Sequence, residues 1–202
     1  MIIMKLQFDT PIPRNQECVT IILMIYMIGG PPRAGKSLLA QKLISKKPMS
    51  SFSCDFMYNL DQIRNIPDFE HMEIIEKGNA FLPSLESLLI NIARQTENCL
   101  IEGEVILPHH IYELSKKYEI RACFLGLSDT SIEQIISNGG FFNWPKYKIQ
   151  NNMKHEIVGL AERTISRSKI IQDECQKYDQ QFFDLALGYE SQQNVALTYL
   201  LS

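Results

Sequence analysis

Several features are scarce or absent in this sequence of 202 residues, and each absence excludes a class of protein. The five cysteines are scattered and form no C-x-x-C pair, which argues against a zinc site and against a disulfide framework. The net charge is only −3, so no basic field draws the chain to nucleic acid or to acidic membranes. The longest apolar run, residues 21–28, is too short to span a bilayer. We therefore expect a cytoplasmic protein with reduced thiols and without nucleic-acid or membrane partners.

The rest of the composition is that of an ordinary globular domain. Apolar residues make up 45% and charged residues 21%, enough to bury a core without disulfides or a structural metal. Residues 1–18 differ, because they carry Asp9, Glu17 and two prolines where a signal peptide needs an apolar stretch. We interpret them as an N-terminal extension to a domain at 19–202. The extension is an added strand, a tail, or the product of a start codon assigned too early. The oligomeric state stays open.

Strand-like and helix-like segments alternate along the chain. Strands are predicted at 20–28, 49–55, 99–102, 120–127 and 182–185, from apolar and β-branched runs. Helices are predicted at 36–47, 57–65, 68–97 with interruptions near Gly78 and Pro83, 108–118, 129–137, 152–178 and 191–201. This alternation predicts an α/β fold with a mainly parallel five-stranded sheet and right-handed crossovers.

The first predicted strand leads directly into a phosphate-binding motif. Residues 30–37 read G-P-P-R-A-G-K-S and match G-x-x-x-x-G-K-[ST] in full, a match with odds of about 1% by chance. Its glycines allow backbone turns whose N–H groups surround phosphate oxygens. Lys36 can reach the β- and γ-phosphates, and the Ser37 hydroxyl can bind Mg²⁺. The predicted nucleotide-binding residues are Gly30, Pro31, Pro32, Arg33, Ala34, Gly35, Lys36, Ser37 and Leu38.

Acidic residues end the second and third predicted strands. Ligands of open parallel sheets bind beyond the carboxyl ends of the strands, where Asp55 and Glu102 are expected. Asp55 can bind or deprotonate a substrate hydroxyl, and Glu102 can hold a metal-bound water beside Ser37. The alternatives are a helix N-cap for Asp55 and a solvated loop carboxylate for Glu102. The pattern gives Glu104, two residues further on, no role.

The order of these segments resembles a known family. The chain resembles the small P-loop kinases related to adenylate kinase, shikimate kinase and chloramphenicol phosphotransferase. The likeness lies in the order of its segments: a strand, GPPRAGKS, a helix, a strand ending SCD, a strand ending LIEGEVILP and a strand reading RACFLGLSD. The IEG…LP segment is most similar to 2-phosphoglycerate kinase-like proteins. The D-G-[FY]-P-R segment of nucleoside monophosphate kinases and the arginine-rich lid signature of adenylate kinases are missing, so the resemblance does not supply the substrate.

The resemblance implies a fold and a reaction. It implies a sheet of order 2-3-1-4-5 with helices on both faces, a substrate-binding helical region at 57–97 and a lid at 138–167. It implies phosphoryl transfer from ATP with Mg²⁺. It gives Lys36 and Ser37 the phosphate and metal contacts, Asp55 the substrate contact and Glu102 the metal side. An ordinary exposed loop is the alternative reading of the lid.

Arginines are the expected partners of a migrating phosphoryl group, because a guanidinium binds two oxygens at once. On the long helix after the fourth strand, Arg163 and Arg167 flank the buried stripe, about 110° and 70° from its centre at about 100° per residue. They are predicted to reach over the cleft; the alternative is buried stems with solvated charges. Arg64 and Arg94 are candidate contacts to an anionic substrate, or surface ion pairs.

These observations together predict a magnesium- and ATP-dependent kinase. Lys36, Asp55, Arg163 and Arg167 are its predicted catalytic residues, and a small hydroxyl- or phosphate-bearing metabolite is its predicted acceptor. The alternative is a nucleotide-binding sensor or regulatory NTPase without an acceptor. A GTPase is disfavoured because N-K-x-D and D-x-x-G motifs are missing. A pocket between residues 55–95 and the phosphate loop would favour the kinase.

Overall fold

The computed structural model describes residues 23–94, 97–137 and 154–202. Within these ranges five strands form one sheet of order β2-β3-β1-β4-β5, and every pairing is parallel. The strands are β1 (Ile25–Gly29), β2 (Ser50–Ser53), β3 (Cys99–Gly103), β4 (Ile120–Gly126) and β5 (Gln181–Asp184). The α-helices are α1 (Lys36–Lys46), α2 (Asp61–Arg64), α3 (Ile74–Ile92), α4 (Pro108–Leu114), α5 (Ile132–Ser137), α6 (Lys154–Lys177) and α7 (Tyr189–Leu201). The predicted fold class and strand order are confirmed.

Helices cover both faces of the sheet. All five residues of β1 are buried, as its apolar sequence predicts for a central parallel strand. Met27 belongs to the core beneath α3, α4 and the C-terminal half of α6. Tyr26 and Ile28 belong to a second core, beneath α1 and α7. The chain thus forms the three layers expected of a doubly wound α/β fold.

Strand register brings the third strand's acid beside the phosphate motif. Glu102 of β3 is paired with Ile28 of β1 on one side and with Ser53 of β2 on the other. The motif begins two residues after Ile28. Because parallel strands end at one edge, Glu102, the motif and the residues after Ser53 share that edge.

The region between β2 and β3 differs from the prediction. Short 3₁₀ helices at Cys54–Met57 and Phe69–His71 flank α2, so Asp55 lies in a 3₁₀ turn after the strand instead of ending it. The N-cap alternative for Asp55 is also wrong, since α2 begins only at Asp61. The helix α3 runs through Gly78 and Pro83 without the predicted interruption. A Cβ at Gly78 would collide with the Leu107 side chain, so this glycine allows close packing instead of ending the helix.

Two predictions fall on residues outside the described ranges. The N-terminal extension at 1–18 is one, and the lid at 138–167 is described only from Lys154 onward, where it forms the start of α6. Elsewhere element ends shift slightly: α4 ends at Leu114 instead of 118, and α7 begins at Tyr189 instead of 191. Among the helices in the described ranges, none has the length and apolar character to cross a membrane.

Candidate active site

The phosphate loop, residues 30–37, has the backbone shape that its glycines predict. Gly30 and Gly35 have φ of 137° and 78°, and a Cβ at Gly30 would fall onto the carbonyl oxygen of Leu125. Arg33 adopts the left-handed region as well, with φ of 68°. The need for glycine at both ends is therefore confirmed. Arg33 itself is exposed at the tip of the loop.

Lys36 lies buried at the start of α1. Its Nζ donates to the carbonyl oxygen of Pro31 at 3.0 Å, folding the side chain back over the loop. Burial lowers the pKa of Lys36, while the charges of Glu102, Glu104 and Asp55 act in the opposite direction. A buried ammonium bonded to a neutral carbonyl gains from an anionic partner, which the phosphates of a nucleotide supply.

Ser37 and Glu102 are brought together as the sequence predicts. The Ser37 hydroxyl, exposed on the first turn of α1, donates to Oε1 of Glu102 at 3.2 Å. One hydroxyl and one carboxylate are a hard oxygen pair, the donor type that Mg²⁺ prefers while it keeps most of its waters. The side chains present thus fit the predicted metal, with Ser37 and Glu102 as its protein ligands or as ligands of its waters.

Residues that sequence patterns did not single out brace the loop from behind. The amide of Gln193, a fully buried side chain of α7, donates to the Gly35 carbonyl at 3.1 Å. The Thr164 hydroxyl of α6 lies 3.2 Å from the Pro32 carbonyl oxygen. A Cβ at Gly35 would meet both Gln193 and the hydroxyl of Tyr189. The loop is therefore held in shape by two distant helices.

Glu104 gathers three partners in the interior, next to this edge. Its Oε1 accepts from Lys77 Nζ at 2.6 Å and from the Tyr58 hydroxyl at 3.3 Å. Its Oε2 accepts from Arg167 Nη1 at 2.9 Å. We call Glu104, Lys77 and Arg167 the Glu104 cluster. Lys77 and Glu104 are buried, and Lys77 also lies over the rings of Tyr58 and Phe69.

Sequence reasoning missed Glu104 and Lys77. Each looks like a surface charge in its own segment, and only the fold joins them across 27 positions. One weak signal was available: Glu104 opens the apolar stretch 105–107, where a charge enters a buried loop only with a partner. Arg167 was singled out from its wheel position, and its role at the cleft stays a prediction. The alternative of a solvated charge is wrong for it, because its guanidinium is bound to the buried Glu104.

The carboxylates at this edge differ in proton affinity. Burial alone would raise the pKa of Glu104, but the hydrogen bond and charge of Lys77, with the charge of Arg167, bring the pKa below its ordinary value. Burial raises the pKa of Asp55. The positive charge of Lys36 opposes this rise, and the negative charge of Glu102 adds to it. Of these two groups, Asp55 is thus the better proton acceptor.

An open cavity of about 540 Å³ lies on the helical side of the site. It is lined by Tyr58, Asn59, Ile63, Arg64, Ile66, Asp68, Phe69, Glu70 and His71. Tyr58 belongs both to this lining and to the shell of Glu104, so the cavity adjoins the Glu104 cluster. Arg64 lines a space that can hold a small polar molecule, and its contact with a substrate stays a prediction.

Other predicted residues lie further from this centre. Arg94 follows the C-terminus of α3, about 25 Å along the helix from Lys77 at about 1.5 Å per residue. We therefore leave it out of the site proposed below. Arg163 is exposed on α6, and its guanidinium lies over Gly159, one turn earlier on the same helix. Its role at the cleft stays a prediction, as does that of the exposed Leu38.

Comparison with known proteins supports the fold. No family model and no curated protein matches the chain. Among solved structures, a shikimate kinase from Acinetobacter baumannii in complex with shikimate has 17% sequence identity and a TM-score of 0.51, covering 89% of this chain and 94% of that one. A shikimate kinase from Aquifex aeolicus has 14% identity and a TM-score of 0.45, covering 89% and 96%. A deoxyadenosine kinase from M. mycoides with bound dATP has 15% identity and a TM-score of 0.46, covering 89% and 100%.

The likeness to the Acinetobacter baumannii enzyme extends over nearly all of both chains, so this protein has the fold of the small P-loop kinases. The predicted resemblance to that group is confirmed at the level of fold. The more specific likeness to 2-phosphoglycerate kinase-like proteins stays a prediction.

Proposed function

We propose that this protein is a cytoplasmic kinase that transfers the γ-phosphoryl group of ATP, with Mg²⁺, to a small hydroxyl- or phosphate-bearing metabolite. The observation that carries the proposal is the meeting of two kinds of group at one edge. The phosphate loop, with Lys36, Ser37 and Glu102, lies beside a carboxylate of raised pKa, Asp55. The first set suits a nucleotide and the second suits an acceptor.

The nucleotide side works by position and charge. Backbone N–H groups of the loop and of the first turn of α1 face the phosphates, and no acidic side chain occupies that turn. Lys36 exchanges the Pro31 carbonyl for phosphate oxygens. Mg²⁺, held through Ser37 and Glu102, would neutralise phosphate charge. Bringing reactants together and stabilising charge are the main means of catalysis in phosphoryl transfer.

The acceptor side assigns different tasks to the remaining groups. Asp55 binds the acceptor hydroxyl and receives its proton, because a raised pKa favours proton transfer near neutral pH. Arg167 offers its guanidinium to the phosphoryl group, with Arg163 as the second arginine of the same helix. The cavity beside Arg64 accommodates the rest of the acceptor.

The alternative function, a sensor or regulatory NTPase, needs no acceptor space. The cavity of about 540 Å³ is lined by residues 58–71 and not by the phosphate loop, so it is not the predicted pocket between the two; it supports the kinase through Tyr58, which also contacts Glu104. A panel of hydroxyl- and phosphate-bearing metabolites with γ-labelled ATP tests the choice, scored for label transferred to the acceptor. Hydrolysis without transfer to any acceptor would favour the sensor.

Two variants sharpen this test. Lys36→Ala should weaken ATP binding at least about 100-fold in calorimetry, because the phosphates lose a buried charged partner. Asp55→Asn should retain ATP binding but slow transfer by about 100-fold or more, since the amide cannot accept the proton. Unchanged ATP affinity in a folded Lys36→Ala variant would overturn the proposed function.

A further inference from the structure

The Glu104 cluster contains charges that the proposed reaction does not yet use. Three buried or half-buried groups from three different elements meet there: the segment after β3, the first turn of α3 and the middle of α6. Burying charges is costly and needs full pairing, and an apolar replacement is often as stable. The cost of this arrangement favours a functional role for it.

The two oxygens of Glu104 have separate partners. Lys77 of α3 and Tyr58, which follows the 3₁₀ helix after β2, both donate to Oε1, and this fixes the orientation of the carboxylate. Its Oε2 is left to face α6, where Arg167 Nη1 donates to it at 2.9 Å. A guanidinium has five N–H donors in a rigid fork, so this bond orients the fork and leaves donors for another anion.

The backbone that carries Glu104 is itself fixed. Val105, Ile106 and Leu107 have no exposed surface, so the segment is locked into the core. The helix α6, in contrast, contacts the phosphate loop one turn before Arg167, through the Thr164 hydroxyl and the Pro32 carbonyl. The fixed carboxylate of Glu104 thus binds α6, a helix that borders the proposed nucleotide site.

Charge interactions place the cluster near Lys36 of the phosphate loop. Glu104 and Lys36 lie close enough to influence each other's pKa, and Glu104 acts on Asp55 as well. Lys77 also lies 3.9 Å from the exposed carboxylate of Glu70, so the attraction for a phosphate anion rests on the guanidinium donors of Arg167 that Glu104 does not use.

On these grounds, and resting on the proposed function, we propose that Glu104 is a positioning residue: anchored by Lys77, it holds the Arg167 guanidinium where the γ-phosphate of ATP would lie. Glu104 does not touch the substrate and does not carry the proton. Its effect passes through Arg167, so it should be specific for the γ-phosphate and should vanish when Arg167 is changed.

Calorimetric titration of the full chain with Mg²⁺-ATP and Mg²⁺-ADP tests this inference. Glu104→Gln should weaken ATP binding about tenfold and ADP binding hardly at all, because the amide no longer orients the guanidinium by charge. Arg167→Lys should give the same ATP-selective loss, since an ammonium lacks the fork. The double variant should lose no more than either single variant.

Glu174→Gln is the matched control, since Glu174 ties α6 to α4, the helix that follows the segment carrying Glu104. Its Oε2 lies 2.6 Å from Nδ1 of His109. If Glu104 merely anchored the helix, Glu174→Gln would change nucleotide binding in the same way. We expect it to leave the ratio of ATP to ADP affinity unchanged.

The outcomes separate this inference from the proposed function. Equal losses for ATP and ADP, additive losses in the double variant, or an unchanged ratio in folded Glu104→Gln would each overturn the positioning role. They would leave the kinase proposal intact as long as Lys36→Ala loses ATP. If Glu104→Gln does not fold, Glu104→Asp keeps the charge but withdraws it by one methylene. The same ATP-selective loss is then expected, and an unchanged ratio again overturns the inference.

Discussion

The phosphate loop and the Glu104 cluster lie side by side but are built in opposite ways. The loop consists of eight consecutive residues, and its function depends on backbone shape. The Glu104 cluster joins residues 27 and 63 positions apart, and it depends on side-chain charges that satisfy each other. Lys36 of the loop is bonded to a neutral carbonyl, whereas the cluster pairs opposite charges with each other.

This difference separates binding from stability. Exposed side chains that bind a ligand, such as Ser37, contribute little to the stability of the fold, so their removal should mainly weaken ligand binding. Buried charges paired with each other should affect folding first, because removal of one partner leaves another charge buried and unpaired. Two acids flanking Gly103 allow the comparison to be made within three residues of sequence.

The largest effect is expected from Glu104→Ala. It leaves Lys77 and Arg167 without their shared counter-ion, and we expect a loss of about 3–5 kcal/mol in the free energy of unfolding, as for a broken buried ion pair. Glu102→Ala removes a half-buried acid with one hydrogen bond from Ser37, and we expect less than about 1 kcal/mol. Urea denaturation of both variants measures the contrast. Equal losses would show that the two sides are not built differently.

The same contrast explains how far the sequence could be interpreted. Lys36 and Ser37 were predictable because the motif that places them is contiguous. Glu102 was predictable because it lies near the end of a strand beside that motif. Asp55 was correctly expected near this edge, but the 3₁₀ turn that carries it was not foreseen, since a tight turn leaves little periodic signal.

Ion pairs between residues distant in sequence could not be predicted from local sequence patterns. The role of Glu104 follows only from its contact with Lys77, and that contact exists only in the folded chain. Gly78 was misread as a helix interruption, although its missing Cβ lets α3 approach Leu107 in the segment that carries Glu104. Glycine has a low helix propensity, and close packing overrides that preference here. The parts of the site that sequence reasoning missed are thus those that only the assembled fold creates.

A pair of glycine substitutions gives the next effect. Gly30→Ala introduces a Cβ at φ of 137° that collides with the Leu125 carbonyl of β4, and we expect a loss of about 2–4 kcal/mol from strain and displaced backbone. Gly159→Ala is the control within α6, where the new Cβ would have only an ordinary contact with Arg163. It should gain about 0.5–1 kcal/mol. Thermal melts of both variants measure the shifts, and a harmless Gly30→Ala would contradict the tight packing of the loop.

His110 should make the free energy of unfolding of the protein depend on pH. Its Nε2 lies 3.0 Å from the side-chain oxygen Oδ1 of Asn79 on α3, and its Nδ1 has no partner within the described residues. Burial, with the charge of His109 adding, lowers the pKa of His110 from 6.5 to about 3. Between these values the unfolded chain binds a proton that the folded chain refuses, so stability falls as pH falls, by up to about 1.4 kcal/mol per pH unit.

The measurement is the difference in pH slope between the wild type and His110→Asn. The variant keeps a donor for Asn79 but cannot titrate, so its free energy of unfolding should fall less steeply between pH 6.5 and 4. Carboxylates titrate in both proteins and cancel in the difference. Parallel slopes would mean that His110 binds its proton in the folded chain as readily as in the unfolded chain, and this would remove the linkage.

The smallest effect concerns the contact between the two regions. The Thr164 hydroxyl lies 3.2 Å from the Pro32 carbonyl of the phosphate loop and 2.9 Å from the Leu160 carbonyl of its own helix. One proton serves both acceptors, so Thr164→Val, at a site that is only 2% exposed, should cost about 1 kcal/mol. Ser166→Ala, exposed on the same helix, is the control and should stay within about 0.5 kcal/mol. Urea denaturation decides whether the hydroxyl matters to folding, and nucleotide titration whether it matters to the loop. Weaker ATP binding together with the stability loss would mean that α6, which carries Arg167 of the Glu104 cluster, also fixes the shape of the phosphate loop. A stability loss alone would confine the hydroxyl's role to its own helix.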